Sequence, residues 1–396
     1  MKPLEGIKVL DFTQVHAGSL GTMLLADFGA EVIKVERIGV GDISRYWEPM
    51  KDGASGYFAS INRNKKSISI NAASPEGKEI IEKLVKEVDV VTENFKLGSM
   101  ERMGFTYEKF QEINPGIIYA RLNGYGQKGS LKQAMGLEIQ MQAGSGMMER
   151  TGFAGGPPVK VGAAISDHTS GTYMATAIAL ALVEREKTGK GQVIDISILD
   201  SLFSLMEANV AQYSLKGVAS ERTGNGYPGA AGYDTYQAKD GYIAIGISTG
   251  RQWKTFCTVM GMEDILNNPD YKTAASRWDL YETSLLAEIE SYTMQFTRDE
   301  IQEKLWSVGL PCGAVATPEE AMESEQVKAR EMVVDIDDLG VGPMKIQGVI
   351  VKMEKTPGSV DASAPLRGQD TIHYLESIGY SKEKIEALQA NNIVEF

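Results

Sequence analysis

Apolar and polar residues follow two periods along the first two hundred positions of the chain. Short continuous apolar runs alternate with segments in which an apolar residue returns every three or four positions. The first pattern is typical of buried strands and the second of helices with one buried face. We therefore predict an α/β fold whose central layer is a Rossmann-like, doubly wound parallel sheet. The predicted strands lie at residues 7–11, 31–36, 89–93, 117–122 and 192–197.

The pattern changes after residue 210. Glycine and proline become frequent, which predicts a linker at residues 211–232. Two strand-like runs then flank a four-residue turn signal and are followed by helical segments, which predicts a small α+β domain at residues 233–329. Strand and helix patterns return in the last sixty residues. We expect residues 1–210 and 330–396 to form one large Rossmann-like domain.

Composition excludes several classes of partner. A chain of 396 residues with a formal net charge of −13 offers little attraction to nucleic acid or to an anionic membrane surface. No apolar run is long enough to span a bilayer, and the first predicted strand follows the N-terminus without a signal peptide. The two cysteines form no CxxC pattern, and three histidines are too few for a metal cluster. These features predict a cytoplasmic protein without a metal site.

Asp167 is the foremost candidate for chemistry. A run of small and apolar residues delivers it to the start of a segment with helical periodicity, which ends at Gly189. The positive end of a helix favours an ionised carboxylate, as a carboxylate nucleophile requires. The alternative is helix capping, a common role of aspartate at this position, although Ser166 could cap equally well. His168 points in a different direction from Asp167, so a Ser–His–Asp relay is not expected.

A set of short motifs occurs in one order along nearly the whole chain. They lie at residues 6–18, 29–37, 64–67, 93–95, 102–105, 123–126, 188–192 and 364–371. With these motifs the sequence resembles the class III coenzyme A transferases, the family of formyl-CoA:oxalate and carnitine CoA-transferases. The run Ile-Ser-Asp-His-Thr-Ser-Gly at residues 165–171 matches the motif that carries the nucleophile of that family.

The resemblance implies covalent catalysis by Asp167. Its carboxylate would attack an acyl-CoA to give a mixed anhydride, and the released thiolate would then form an aspartyl-CoA thioester. A small carboxylic acid would take up the CoA by the reverse sequence, so neither ATP nor a tightly bound cofactor is expected. The family also implies a homodimer whose chains are threaded through each other like links.

The same resemblance implies a binding site for the CoA nucleotide, formed by Arg37, Asn94, Phe95 and Arg102. Forked guanidinium donors suit phosphate, although without the resemblance both arginines would be interpreted as solvated surface charges. Lys65 and Lys66 offer further positive charge, or a solvated turn.

Two further residues are expected near the nucleophile. His16 stands where formyl-CoA transferases carry glutamine, and a neutral imidazole can still donate a hydrogen bond to an acyl oxygen. Glu138 matches an acidic residue near the family's active site, where it would orient the reacting groups or pair with structure. The glycine-rich loop that covers the formyl-CoA:oxalate site has no counterpart near residues 224–232. The identities of donor and acceptor acids therefore stay open.

Two other functions compete with CoA transfer. An α-methylacyl-CoA racemase needs a second acid/base on the opposite face of the α-carbon, and Leu137 stands where the racemase motif has its histidine. Because leucine cannot shuttle a proton, transfer is favoured over racemisation. A non-catalytic CoA-binding homologue is the other alternative, and the intact Asp167 argues against it.

Overall fold

The computed structural model describes residues 1–396, which divide into two compact units. The larger unit contains Met1–Met147, Lys160–Val210 and Glu325–Phe396, and the smaller one contains Met148–Val159 and Ala211–Ser324. Strands and helices are numbered below in chain order across both units.

The larger unit is built on a sheet of seven strands. Its strands are β1 Lys8–Asp11, β2 Glu31–Glu36, β5 Lys66–Ile70, β6 Val90–Glu93, β7 Ile118–Asn123, β8 Val193–Ser197 and β14 Val394–Glu395. Two hairpins lie outside this sheet: β3 Met50–Lys51 with β4 Ala54–Ser55, and β12 Val333–Asp338 with β13 Gly342–Gln347.

The order of the strands creates a crevice. The sheet runs β14-β5-β2-β1-β6-β7-β8, and every neighbouring pair is parallel except β14 with β5. Connections leave β1 toward one edge of the sheet and β6 toward the other, so the chain reverses direction between these two strands. Ligands of doubly wound sheets bind at the carboxyl ends of strands at this switch point.

Helices cover both faces of the sheet. Those of the larger unit are α1 Ala17–Asp27, α2 Gly56–Asn62, α3 Pro75–Val85, α4 Ser99–Arg102, α5 Tyr107–Ile113, α6 Glu138–Gly144, α8 Ile165–Thr188, α9 Ile198–Phe203, α17 Glu325–Ala329, α18 Thr371–Ser377 and α19 Lys382–Ala390. Successive residues of a strand point to opposite faces. Val9 accordingly belongs to the apolar cluster that contains Met174 of α8, and Leu10 to the one that contains Ile80 of α3. The central, largely parallel sheet predicted from the sequence is confirmed.

Helix α8 buries only part of its apolar surface. Met174, Ile178 and Ala181 are buried, whereas Tyr173 and Leu180 remain 44% and 66% exposed. Helix α1 packs closely against the buried side of α8. A Cβ atom on Gly171 would lie 2.4 Å from the carbonyl oxygen of Ala17, so only glycine allows this approach.

The smaller unit surrounds a three-stranded antiparallel sheet. Its strands are β9 Gly232–Ala238, β10 Gly241–Ile247 and β11 Cys312–Ala314, in the order β11-β10-β9. Its helices are α11 Gly250–Met260, α12 Glu263–Asn267, α13 Ala274–Asp279, α14 Leu286–Thr293, α15 Arg298–Ser307 and α16 Pro318–Glu323. Tyr236, Phe256 and Leu305 lie at the centre of its apolar core.

The compact units differ from the expected domains at three places. Residues 325–329, expected in the small domain, belong to the larger unit. Residues 211–232, expected as a linker, belong to the smaller unit, and so do residues 148–159, which we had assigned to the large domain. Hydrogen bonds hold these stretches together: Gly224 donates its N–H to the Gly152 carbonyl at 3.0 Å, and Arg222 pairs with Glu149 at 2.6 Å. Helices α7 Met147–Arg150 and α10 Asn209–Lys216 lie at the boundaries between the units.

Candidate active site

A cavity of about 730 Å³ opens in the larger unit at the carboxyl ends of β1, β6 and β7. The loops after β1 and β6, which flank the switch point, line it together with the starts of α6 and α8. Three predicted catalytic residues, His16, Glu138 and Asp167, share this lining. Two predicted CoA-binding residues, Asn94 and Phe95, line it as well. The topology thus brings together residues that are up to 151 positions apart.

The loop that carries His16 is held in a fixed conformation. Val15 has a positive φ of 62°, and its N–H donates to both oxygens of Asp42 at 3.2 and 3.1 Å. Asn94 accepts from the Gln14 N–H at 2.8 Å and donates to the Gln14 carbonyl at 2.7 Å. Because a non-glycine residue with positive φ is strained, these bonds provide the compensation that keeps His16 at the cavity.

His16 is a neutral donor or acceptor in this setting. It is 8% exposed, and its ring centroid lies 4.7 Å from that of His168. Burial, followed by the neighbouring His168, lowers the pKa of His16 to about 4. Its Nδ1 atom forms a 2.6 Å hydrogen bond with the Tyr57 hydroxyl, whereas Nε2 is buried without a partner.

Glu138 caps the helix that carries Asp167. Its carboxylate accepts from the Ser166 N–H at 3.1 Å, from the Asp167 N–H at 3.3 Å and from the Ser166 hydroxyl. The residue at the N-cap position itself, Ala164, has no side chain that could do so. Glu138 is fixed in turn by Gln142, whose amide donates to it at 2.6 Å.

Asp167 lies in the first turn of α8 but does not cap it. Burial, and then the negative charge of Glu138, raises the pKa of Asp167 to about 7. This shift is opposite to the direction that the positive end of a helix favours. Glu138, the second cause of the shift, accepts from the backbone N–H groups of Ser166 and Asp167 at that helix end.

The predicted nucleotide-binding residues separate into two groups. Asn94 and Phe95 reach the cavity, but both polar ends of the Asn94 amide are occupied by Gln14. Arg37 and Arg102 are exposed and do not line the cavity, and Arg102 donates to the Ser99 hydroxyl at 2.8 Å.

Neither Lys65 nor Lys66 lines the cavity, and the two side chains have different surroundings. Lys65 is fully buried, lies 3.3 Å from Asp11 and donates to the Ser19 carbonyl at 2.9 Å, so it neither faces a ligand nor lies in a solvated turn. Lys66 is half-exposed and lies 4.0 Å from Asp370, outside the cavity lining. Lys65 directly precedes β5 and Lys66 is its first residue, and only Lys65 is buried.

Sequence reasoning missed several residues that line the cavity. They are the aromatic Trp47 and Tyr57, the basic Lys96, Lys132 and Lys160, and Asn123. Asn123 belongs to a family motif noted above. Its Oδ1 accepts from two backbone N–H groups, whereas its buried amide N–H₂ has no partner. Tyr57 lies in a short helix far from the other site residues along the chain, with no pattern that marks it for this role.

The structure holds no group of three or more His, Cys, Asp or Glu side chains placed to bind a metal ion. Its helices include none with both the length and the apolar character that crossing a membrane requires.

Comparison with known proteins identifies the family. The family model of CoA-transferase family III matches residues 4–371. The chain is 33% identical over 396 residues to a succinyl-CoA–D-citramalate CoA-transferase of Chloroflexus aurantiacus, covering 99% of this chain and 98% of that protein. It is 36% identical over 402 residues to the human succinyl-CoA:glutarate CoA-transferase, covering 100% and 90% of the two chains. The crystal structure of a CAIB/BAIF family protein from Brucella suis matches with a TM-score of 0.86 and 32% identity, covering 95% of this chain and 99% of that one.

The fold and the cavity define an α/β enzyme with a carboxylate at the switch point of its sheet. The chain belongs to CoA-transferase family III. The resemblance recognised in the sequence and the enzyme class that it implied are thereby confirmed.

Proposed function

We propose that this protein moves CoA from an acyl-CoA donor to a carboxylic acid acceptor through a thioester on Asp167. The observation that carries the proposal is the position of Asp167, which faces the cavity beside His16 and whose helix end is capped by Glu138. A carboxylate in this position has a nucleophilic oxygen next to a space large enough for a ligand.

The reaction proceeds by four acyl exchanges. An Asp167 oxygen attacks the thioester carbonyl of the donor, the carbon–sulfur bond breaks, and an acyl–aspartyl anhydride and CoA thiolate result. The thiolate attacks the aspartyl carbonyl and expels the donor acid as its carboxylate, which leaves aspartyl-CoA. The acceptor carboxylate then attacks this thioester to form a second anhydride, and the thiolate finally attacks the acceptor's carbonyl and restores Asp167. One thioester is lost and one is formed, so no other energy source is consumed.

The neighbours of Asp167 have separate roles in this scheme. Glu138 holds the first turn of α8 by accepting its free N–H groups, so it fixes the Asp167 backbone. His16, neutral at physiological pH, would donate from Nε2 to the oxyanion that forms at each acyl carbon. The His16 N–H would contribute to every step, because each step develops negative charge on a carbonyl oxygen.

The CoA moiety would extend from the cavity along the loop after β6. Phe95 offers an apolar wall, Lys96 is the neighbouring positive charge, and Asn94 shapes the site through Gln14. Arg37 and Arg102 lie outside the cavity lining with exposed guanidinium groups, where they would meet the nucleotide phosphates.

Succinyl-CoA is the first donor to test, because the names of both relatives described above contain it. Lys132 and Lys160 in the cavity lining give a distal carboxylate of such a substrate an opposite charge. The acceptor acid is to be found by a screen of mono- and dicarboxylic acids.

The protein would act as an interlinked homodimer. Helix α10 buries none of its own residues, and its Tyr213 and Leu215 are 63% and 85% exposed. A helix with an uncovered apolar side is typical of a surface that another chain covers. The larger compact unit would serve as the CoA-binding domain.

Trapping of the thioester tests the proposal. The protein is incubated with succinyl-CoA, treated with hydroxylamine or borohydride, digested and analysed by mass spectrometry. We expect modification at Asp167, none in Asp167→Asn, and normal modification in the control Asp200→Asn, which changes an aspartate in the first turn of another helix of the same unit. Full exchange activity in Asp167→Asn would refute the assignment. Exchange of the α-proton without acyl transfer would indicate a racemase.

A further inference from the structure

Tyr57 is joined to His16 by a short hydrogen bond across two helices. Tyr57 lies in α2 and His16 immediately precedes α1, and the distance from Oη to Nδ1 is 2.6 Å. The Trp47 ring packs against Tyr57 with a centroid distance of 5.4 Å. The rings of His16 and Tyr57 both line the cavity, so their hydrogen bond lies at the proposed reaction centre.

The hydrogens of this bond can be assigned from chemistry. A neutral imidazole carries one N–H and one acceptor nitrogen, and a phenol can donate one hydrogen. Nδ1 of His16 is the hydrogen-bond partner of the Tyr57 hydroxyl. If Nδ1 carried the hydrogen, the phenol O–H would lose its acceptor. If Tyr57 donates, the phenol hydrogen has an acceptor and Nδ1 has a donor.

The charge states agree with this assignment. Burial, followed by the charges of Asp167 and Asp42, raises the pKa of Tyr57 to about 12, so the phenol keeps its hydrogen at neutral pH. The imidazole is neutral because burial lowers its pKa. The other titratable groups that act on it are His168, from α8, and Glu138, from α6.

We propose that Tyr57 is a positioning residue that donates to Nδ1 of His16 and thereby keeps the imidazole hydrogen on Nε2. Nε2 is buried and has no protein partner, which is costly unless a ligand accepts from it. Its N–H is then the donor for the acyl oxygen. The value of this donor for catalysis rests on the proposed function, whereas the tautomer itself does not.

A glutamine at position 16 would not need such a partner. Its amide always has N–H donors, whereas a histidine presents a donor to the cavity in one of its two tautomers. The Tyr57 hydroxyl therefore compensates for the imidazole at this position. An alternative is that Tyr57 binds the substrate directly, and the experiments below separate the two roles.

Nitrogen NMR of the whole protein tests the tautomer directly. The chain has three histidines, so selective ¹⁵N-histidine labelling gives few signals, and His16→Gln assigns those of His16. At pH 7.5 we expect the Nε2–H tautomer in the wild type and a shift toward Nδ1–H in Tyr57→Phe. The control Tyr46→Phe removes a hydroxyl that bonds the Val40 carbonyl and should leave the spectrum unchanged. Wild-type Nδ1–H, or an unchanged tautomer in Tyr57→Phe, would overturn the proposal.

Kinetics in two backgrounds test the consequence. We expect Tyr57→Phe to lower kcat roughly tenfold with little change in KM, because a misdirected donor fails chiefly in the transition state. In a His16→Gln background the same substitution should change kcat less than about twofold. An equal loss in both backgrounds would show that Tyr57 acts on the substrate itself and would overturn the positioning role. If the wild type transfers CoA to no acid, the proposed function fails, and the NMR result still decides the tautomer.

Discussion

At the scale of single residues, burial and one neighbouring carboxylate raise the pKa of Asp167, the proposed nucleophile. Asp167 has a pKa near neutrality because it is largely removed from water and lies beside Glu138. A carboxylate with a raised pKa is more basic and more nucleophilic once it is ionised. In the proposed reaction, the raised pKa of Asp167 therefore lowers the ionised fraction and increases the reactivity of the ionised form. Glu138 contributes both the helix cap and part of the raised pKa.

The pH dependence of the reaction follows from this arrangement. The attacking form of Asp167 is the carboxylate, so kcat/KM should rise with pH through about 7 and then level off. Glu138→Gln removes the nearby negative charge but keeps an oxygen that can accept from Ser166. The pKa of Asp167 should therefore fall, and the midpoint of the rise should move to lower pH. Stopped assays of CoA exchange between pH 5 and 9 measure both curves; an unmoved or higher midpoint in the variant would contradict the electrostatic role of Glu138.

Lys65 provides a second prediction at this scale. Its fully buried ammonium lies 3.3 Å from the equally buried Asp11, and removing one partner of such a pair leaves an uncompensated charge. We expect Lys65→Met to lower the free energy of unfolding by about 3–5 kcal/mol, as measured by urea denaturation. The matched control is Lys66→Met, which removes a half-exposed lysine from the next position and should change stability by less than about 1 kcal/mol. Equal effects of the two variants would argue against the buried pair.

At the scale of elements, the contact between α1 and α8 sets the distance between His16 and Asp167. Gly171 comes one turn after Asp167, and Ala17 comes directly after His16, so their close approach joins the two site residues. Gly21 makes a second close contact, since a Cβ atom there would lie 2.7 Å from the Gly171 carbonyl oxygen. Neither glycine lines the cavity.

Gly171→Ala tests this contact. The added Cβ would lie 2.4 Å from a backbone oxygen, so the helices must separate, at a cost of about 1–3 kcal/mol in unfolding free energy. Because His16 and Asp167 would move apart, exchange activity should fall by more than about tenfold even where the protein is fully folded. In the control Gly250→Ala the new Cβ meets no atom within 4 Å, and both stability and activity should persist. Wild-type activity in Gly171→Ala would show that the helix spacing is not critical.

At the scale of the whole molecule, exposed apolar side chains mark the surfaces that a second chain would cover. Tyr173, Leu180 and Val183 form such a row on α8, and Val210, Tyr213 and Leu215 are exposed on α10. Burying apolar surface of this kind stabilises association by about 25 cal/mol per Å².

Light scattering should accordingly give a molar mass of twice the 43.1 kDa of one chain. If the two chains are linked, differently tagged dimers will exchange no subunits until they are unfolded, whereas ordinary dimers exchange by dissociation. Leu215→Asp should lower the yield of dimer, because it places a charge on an uncovered apolar helix, and the control Leu339→Asp, at an exposed turn between β12 and β13, should not. A monomer at micromolar concentration would contradict the assembly.

The sequence alone determined the alternating elements, the parallel sheet and the family, and it supplied the proposed nucleophile, Asp167. Periodicity reports which positions face the core, so β2 was predicted with the bounds that the structure shows. The family motifs predicted His16 and Glu138 near Asp167, and Asn94 and Phe95 at the CoA nucleotide. All five residues line one cavity in the structure.

Tertiary structure decided the properties that depend on which side chains meet. Lys65 and Asp11 are 54 positions apart and pair because β1, β2 and β5 are neighbours in the sheet. The pKa of Asp167 depends on burial and on Glu138, neither of which the local sequence around a helix start contains. Tyr57 reaches His16 from 41 positions away through the packing of α2 beside α1. Local patterns specify elements, whereas charge states and hydrogen-bond partners arise from long-range contacts.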